Sequence, residues 1–140
     1  DMGSERVAVA LIGDGDFLMG NTAIWTAVHY RIPMLVIVCN NHSFFNDELH
    51  QERVAKERAR PTENKWIGQR MDGPEINIAA MAQSMGATAI GPIRSAHDIE
   101  AVVLQGWQQA RQGLVCVIDA CIAPGYDANM SGQVAASHKR

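Results

Sequence analysis

Residues 13–41 read GDGDFLMGNTAIWTAVHYRIPMLVIVCNN. They open on Gly13-Asp14-Gly15 and close on Asn40-Asn41. Before them, 6–12 are apolar without alternation, which predicts a strand covered on both faces, as strands of parallel sheets are. The run 16–30 predicts one helix with Phe17, Leu18, Ile24, Ala27 and Val28 on its inner side, closed off by Pro33. Residues 34–39 predict a second buried strand. A strand, a helix and a strand in this order make a parallel βαβ unit, whose two strands end at the same edge of the sheet. That brings Asp14 and Asn41 together although they stand 27 positions apart. Ligands of open α/β sheets bind at this edge.

The rest of the chain extends the pattern. Pro74 is expected to open a helix with Ile76, Ile78, Ala79, Met81, Ala82 and Met85 inward and Gly86 at its end. A short strand over 88–90 follows. Ser95 is expected to cap a helix running to Gln112, with Asp98 as a short-armed capping-box partner and Gly113 as the stop. Residues 114–122 predict a fourth buried strand. The fold class is therefore α/β, an open, mostly parallel sheet with helices on both faces. The domain is placed at 1–122 and a tail with little regular structure at 123–140. Four strands are few for such a sheet, so the domain is expected to begin before Asp1.

Between the second strand and Pro74 the composition changes. Residues 42–70 hold six of the twelve Lys and Arg and five of the fifteen Asp and Glu. A helix over 48–58, with Glu52 and Lys56 at helical spacing, is expected to be solvated. The loop around Pro61 is either simply exposed or a cover over the site.

Composition narrows the function. A chain of 140 residues with 47% hydrophobic and 19% charged residues is a folded domain of ordinary make-up. Its net charge of −3 gives no reason to expect nucleic acid as a partner. The longest apolar runs are far short of the roughly 20 residues that span a bilayer. No membrane association and a cytoplasmic location are therefore expected. Cys39, Cys116 and Cys121 lack metal-site spacing and read as reduced thiols on strands.

Asp14 offers a carboxylate and Asn41 an amide oxygen, hard donors suited to Mg²⁺ or Ca²⁺. Gly13 and Gly15 let the backbone approach a bulky anion, and the following helix directs unpaired N–H groups towards it. The parts describe a site for a metal-bound diphosphate. A nucleotide- or phosphate-binding module without catalysis is the alternative. A metal-dependent phosphatase using Asp14 is disfavoured, because no second acidic cluster stands at another strand end.

Gly13-Asp14-Gly15 and Asn40-Asn41 at this spacing resemble the thiamine diphosphate enzymes, in their C-terminal diphosphate-binding domain. Ile24-Trp25-Thr26-Ala27-Val28 and Arg31-Ile32-Pro33 resemble the 2-oxo-acid decarboxylase and acetolactate synthase branch. The resemblance implies Asp14, the Asn41 side chain and the Ser43 backbone carbonyl as Mg²⁺ ligands, with Ca²⁺ as a substitute. It implies Gly13, Gly15, Asp16, Phe17 and Asn41 at the cofactor, Gly15 and Asp16 through backbone N–H groups. Asp16 departs from the Ser or Ala of many relatives, and its carboxylate would repel a diphosphate unless turned away. No catalytic residue is expected in this chain. The activating glutamate belongs to a pyrimidine-binding domain of the same or a partner polypeptide, and a homo-oligomer, dimer or tetramer, is implied. The reaction implied is cleavage or formation of a C–C bond next to the carbonyl of a small 2-oxo acid or dicarbonyl substrate.

The remaining candidates are side chains near the presumed site. His42 and His50 are the histidines nearest it, and Phe44 and Phe45 stand where they either line the pocket or pack. Trp25 and Trp107 are expected in the core or an interface, and Trp66 in an exposed contact.

Overall fold

The computed structural model describes residues 6–125. The expected tail beyond 125, like residues 1–5, lies outside the described residues. Four strands, β1 (Ala8–Gly13), β2 (Met34–Asn40), β3 (Thr88–Ile93) and β4 (Val115–Cys121), form one sheet in the order β1-β2-β4-β3. All three pairings are parallel. Among the described residues, no helix is long and apolar enough to cross a membrane.

Among the described residues, five α-helices connect and cover the strands: α1 (Asp14–Gly20), α2 (Thr22–His29), α3 (Phe45–Glu57), α4 (Ile78–Ser84) and α5 (Ile99–Arg111). The steps β1 to β2 and β2 to β3 run in one direction across the sheet, and β3 to β4 steps back. With crossovers of one hand, reversing the step moves the helix to the other face. The core divides accordingly. Phe17, Ile24, Ala27, Ile78 and Ala82 pack with Val36, Val38, Val115 and Val117 on one face. On the other, Ala110, Val102, Val103 and Trp107 of α5 pack with Leu35, Cys116 and Ile118. In β2 and β4 consecutive residues thus serve opposite faces, which is why those strands show no polar alternation. The expected cover on both faces of the first strand is corrected: β1 pairs only with β2 among the described residues, and Val9 and Leu11 are 53% and 69% exposed.

Local chemistry moves several expected boundaries. The single helix over 16–30 is two helices. Asn21 Nδ2 donates to the Leu18 carbonyl at 3.1 Å, engaging the oxygen that the next helical N–H would use, and the chain steps through a tighter turn there. Pro74 does not open a helix. Residues 72–75 are held in a turn by the Asp72–Glu75 bridge, and α4 starts where Asn77 Oδ1 caps the Ala80 N–H at 2.8 Å. Ser95 makes no side-chain cap. A 3₁₀ turn over Ala96–Asp98 precedes α5, and the Ser95 carbonyl, not its hydroxyl, accepts the Asp98 N–H. Gly86 and Gly113 do stop α4 and α5, at φ +89° and +93°.

The third strand is longer than 88–90 because Gly91 allows a register shift in mid-strand. Its φ is +137°, and a Cβ there would stand 2.7 Å from the Asp119 carbonyl oxygen. Only glycine lets β3 pass so close to β4 at that point. Trp107 packs against the core, whereas Trp25 is 54% exposed and stacks on His29. Of the two expected places, core or interface, this exposure excludes the core of this chain, since Trp25 falls on the outer side of α2. Cys39, Cys116 and Cys121 are free thiols, as expected.

Candidate functional site

The register of the first two strands builds the site. Gly13 lies opposite Cys39, so the residues that follow each strand emerge side by side at the C-terminal edge. Gly13-Asp14-Gly15 is not a free turn. Gly13 ends β1 in extended backbone, and Asp14 and Gly15 already belong to the first turn of α1. Asp14 is buried, 3% exposed. Its Oδ1 accepts the Gly15 N–H at 2.9 Å and its Oδ2 accepts the Ser43 N–H at 3.1 Å. Asn41 Oδ1 accepts that same Ser43 N–H at 2.9 Å. Carboxylate and amide oxygens therefore converge on one point, as the βαβ reading required.

Ser43 owes its orientation to a short antiparallel ribbon. The Phe44 N–H donates to the Gln69 carbonyl at 3.0 Å and the Met71 N–H to the His42 carbonyl at 2.8 Å, with Ser43 facing Arg70 between them. A residue so flanked turns its own N–H and C=O away from the partner strand. The Ser43 carbonyl thus faces the side where Asp14 and Asn41 lie.

These residues border a cleft of about 440 Å³, walled on the far side by Phe44, Phe45, Asn46 and Asp47 and by Ile122. The helices α1 and α3 both begin beside the cleft; in the first turn of α3 the Asp47 and Glu48 N–H groups bond to the Phe44 carbonyl, and at the start of α1 the Gly15 N–H is taken by Asp14 Oδ1. Among the described residues, the charged side chains lining it are Asp14, Asp16 and Asp47, all acidic. A diphosphate entering among three carboxylates is repelled unless a divalent cation accompanies it. Asp14, Asn41 and the Ser43 carbonyl are oxygen donors of the kind Mg²⁺ takes, and they leave coordination positions for phosphate oxygens and water. The residues present fit that pair of ligands. Cys39, also on the lining, is held protonated by burial and by the nearby Asp14 carboxylate. A protonated thiol adds neither charge nor a soft ligand.

The other expected site residues fall variously. Gly13, Gly15, Asp16, Asn41 and Ser43 line the cleft with Asp14, and Asp16 is exposed there. Phe17 puts its ring into the core at 2% exposure, so only its backbone can face a ligand. Gly15 serves a purpose that its expected role did not include. A Cβ on it would stand 2.3 Å from Phe44 Cε1, so the missing side chain makes room for the Phe44 ring. Neither His42 nor His50 lines the cleft. His42, in left-handed backbone at φ +57°, reaches towards Glu75 at 4.0 Å, and the His50 ring meets Arg53 at 3.0 Å.

Two polar contacts escape a reading along the chain. Asn40 Nδ2 donates to Asp119 Oδ1 at 2.9 Å, tying β2 to β4 beneath the site. Glu48, expected on a solvated helix, is 2% exposed because α3 begins at Phe45 and turns it inward. It accepts from the Ser43 hydroxyl at 2.5 Å and from Arg70 Nε at 3.2 Å. Burial opposes its ionisation, but the bonds from Ser43 and Arg70 and the charges of Arg70 and Lys65 outweigh it and hold the carboxyl below its ordinary range. The available signal was weak, an acidic residue in the first turn of a helix after a strand-end serine. Glu52 pairs with Lys56 as expected, and also with Lys65.

Comparison with solved structures gives the fold a precedent. The Rhodococcus jostii RHA1 thiamine diphosphate-dependent 4-hydroxybenzoylformate decarboxylase superposes with a TM-score of 0.65 over 87% of this chain, at 21% sequence identity. This chain spans 20% of that protein's length. The family described as "Thiamine pyrophosphate enzyme, C-terminal TPP binding domain" matches residues 2–119, and the chain belongs to that family.

Proposed function

We propose that this chain is the diphosphate- and Mg²⁺-binding part of a thiamine diphosphate-dependent enzyme that cleaves or forms a C–C bond next to a carbonyl. The observation that carries the reading is the convergence of Asp14 Oδ2 and Asn41 Oδ1 on the Ser43 N–H, in a cleft whose charged lining among the described residues is acidic. Such a cleft selects an anion that brings its own divalent cation. Asp14 and Asn41 hold the metal with the Ser43 carbonyl, and Ca²⁺ can replace Mg²⁺ in an all-oxygen set. The Asp16 N–H at the start of α1 orients the diphosphate, and the Phe44 ring packed on Gly15 forms one wall of the cleft.

Thiamine diphosphate, when bound, supplies the nucleophilic carbon and the electron sink for breaking a bond beside a carbonyl. A 2-oxo acid or dicarbonyl compound is the substrate class, in the 2-oxo-acid decarboxylase and acetolactate synthase-like branch, acting as lyase or transferase. The similar Rhodococcus protein is a 4-hydroxybenzoylformate decarboxylase, which supports this class. A pyrimidine-binding domain, on the same or a partner polypeptide within a homo-oligomer, supplies the activating glutamate.

Titration calorimetry on the full natural polypeptide tests the reading. Thiamine diphosphate is expected to bind only with Mg²⁺ present, and Asp14→Ala to abolish binding. Unchanged affinity in that variant, or preference for adenine nucleotides in a thermal-shift panel, overturns it in favour of a phosphate-binding module.

A further inference from the structure

We propose that Glu48 is a positioning residue for the metal loop, acting through the Ser43 hydroxyl with Arg70 as its counter-ion. The inference rests on the Mg²⁺ and diphosphate reading above. Ser43 and Arg70 are cross-strand neighbours in the ribbon, and both reach the same carboxylate. Glu48 Oε1 takes the Ser43 hydroxyl at 2.5 Å and Arg70 Nε at 3.2 Å, and Oε2 takes Arg70 Nη2 at 3.4 Å. The three side chains and the ribbon backbone close a ring around one residue.

That ring governs the direction of the Ser43 carbonyl. On one side the Ser43 N–H is held by Asp14 and Asn41, and on the other its hydroxyl is held by a buried carboxylate. A hydroxyl bonded to an ionised acceptor is a strong, short contact. With N–H and Oγ both tethered, the serine has little freedom to swing its carbonyl away from the cleft.

A buried carboxylate is a costly way to fill space. Its pairing with a half-exposed arginine returns only part of the desolvation cost. An apolar residue at 48 would fill the volume at less expense but would free the serine. Residues that orient a metal ligand in this manner typically contribute 10- to 100-fold to metal affinity.

The same ring joins the site to the charged segment that leads into the ribbon. Lys65 reaches Glu52 on α3, and Trp66 and Ile67 are 44% and 56% exposed on this segment. Because Arg70 is shared, metal occupancy and docking of residues 58–71 are linked, and linkage acts in both directions. Metal binding accordingly slows exchange of the Phe44 and Met71 amide protons, which are the ribbon's own bonds.

The test measures Mg²⁺ affinity at saturating thiamine diphosphate by calorimetry, and Mn²⁺ affinity by electron paramagnetic resonance, on the full natural polypeptide. Ser43→Ala, which keeps the carbonyl, and Glu48→Ala are each expected to weaken metal binding about 10- to 100-fold. The double variant is expected to lose little more than either single one, and Glu48→Gln, still an acceptor, to fall between. Metal-induced slowing of the Phe44 and Met71 amides should be reduced in the variants. If Glu48→Ala does not fold, Ser43→Ala decides the matter, since it removes one oxygen atom. Metal affinity equal to wild type in folded Ser43→Ala overturns the proposal, even if its thermal midpoint falls. A wild-type protein that binds no divalent metal overturns instead the reading on which the proposal rests.

Discussion

Asn40 donates its side-chain amide to the carboxylate of Asp119 at 2.9 Å, joining the C-terminal ends of β2 and β4 with both residues buried. The two asparagines of Asn40-Asn41 therefore divide their tasks. Asn41 turns its oxygen to the Ser43 N–H at the cleft, and Asn40 locks the adjoining strand end.

Asp119 is the more consequential partner. Burial raises its pKa above the ordinary aspartate value, against the lowering effects of Asn40, His42 and Arg94. An acid with a raised folded pKa binds its proton more tightly when folded, so stability falls as pH rises through that interval. Asp119→Asn keeps an oxygen for Asn40 and removes the buried charge. Its thermal midpoint is expected above wild type at pH 7 and level with it below the unfolded aspartate pKa of about 3.9. Melting curves across that range check the sign, and an equal midpoint at pH 7 counts against it.

Gly15→Ala sets two terms against each other. Alanine gains about 1 kcal/mol of helix propensity over glycine in a helix interior. The new methyl would stand 2.3 Å from Phe44 Cε1, and overpacking of this kind costs about 1–3 kcal/mol. A net loss is expected in urea unfolding. Because the clash has one identified partner, Gly15→Ala combined with Phe44→Ala should lose less than the two single changes added together.

Gly106 poses the same question under α5. A Cβ there would meet Leu35 Cδ1 at 2.8 Å and Ile118 Cδ1 at 3.0 Å, and both side chains are buried, so their terminal methyls must shift within the core. Gly106→Ala is expected to destabilise the fold by about 1 kcal/mol after its propensity gain. The site should be untouched, so metal affinity measured on the folded variant should stay at the wild-type level.

Glu52 ties α3 to the charged segment. Hydrogen bonds from Lys56 and then Lys65 bring its pKa down to about 2, from 4.5. A depressed acid contributes stability above its unfolded pKa and loses it as pH falls through the folded value. The Lys65 tether should therefore hold as pH drops past 4.5 and fail only near 2. A carboxyl NMR titration should place the Glu52 midpoint near 2, and Lys56→Ala should move it upward.

Much of the architecture is legible in order along the chain. Uninterrupted apolar runs at 6–12 and 34–39 mark strands, although only the second is covered on both faces, and Gly86 and Gly113 mark two helix ends, because these signals act within a few residues. The parallel βαβ rule then carries Asp14 and Asn41 to one edge with no knowledge of any other contact. That is why the metal-binding half of the site could be proposed from Gly13-Asp14-Gly15 and Asn40-Asn41. Boundaries were harder. Pro74 and Ser95 carry good helix-start chemistry, yet Asn77 and a 3₁₀ turn decide the actual starts, since several residues compete for each and the local differences are small.

What the sequence by itself determined is the layered α/β class, the sheet edge at which Asp14 and Asn41 meet and the oxygen character of the groups there. What only the tertiary structure decided are pairings between distant positions: Gly15 under Phe44, Asn40 with Asp119, and Glu48 between Ser43 and Arg70. The physical reason is the range of the forces involved. Strand and helix signals are local, whereas the burial of Glu48 depends on residues 69–71 folding back across 42–44. Glu48's own neighbourhood in the sequence offers only its place in a first helical turn after a strand-end serine to set it apart from Glu52 and Glu57 on the same helix.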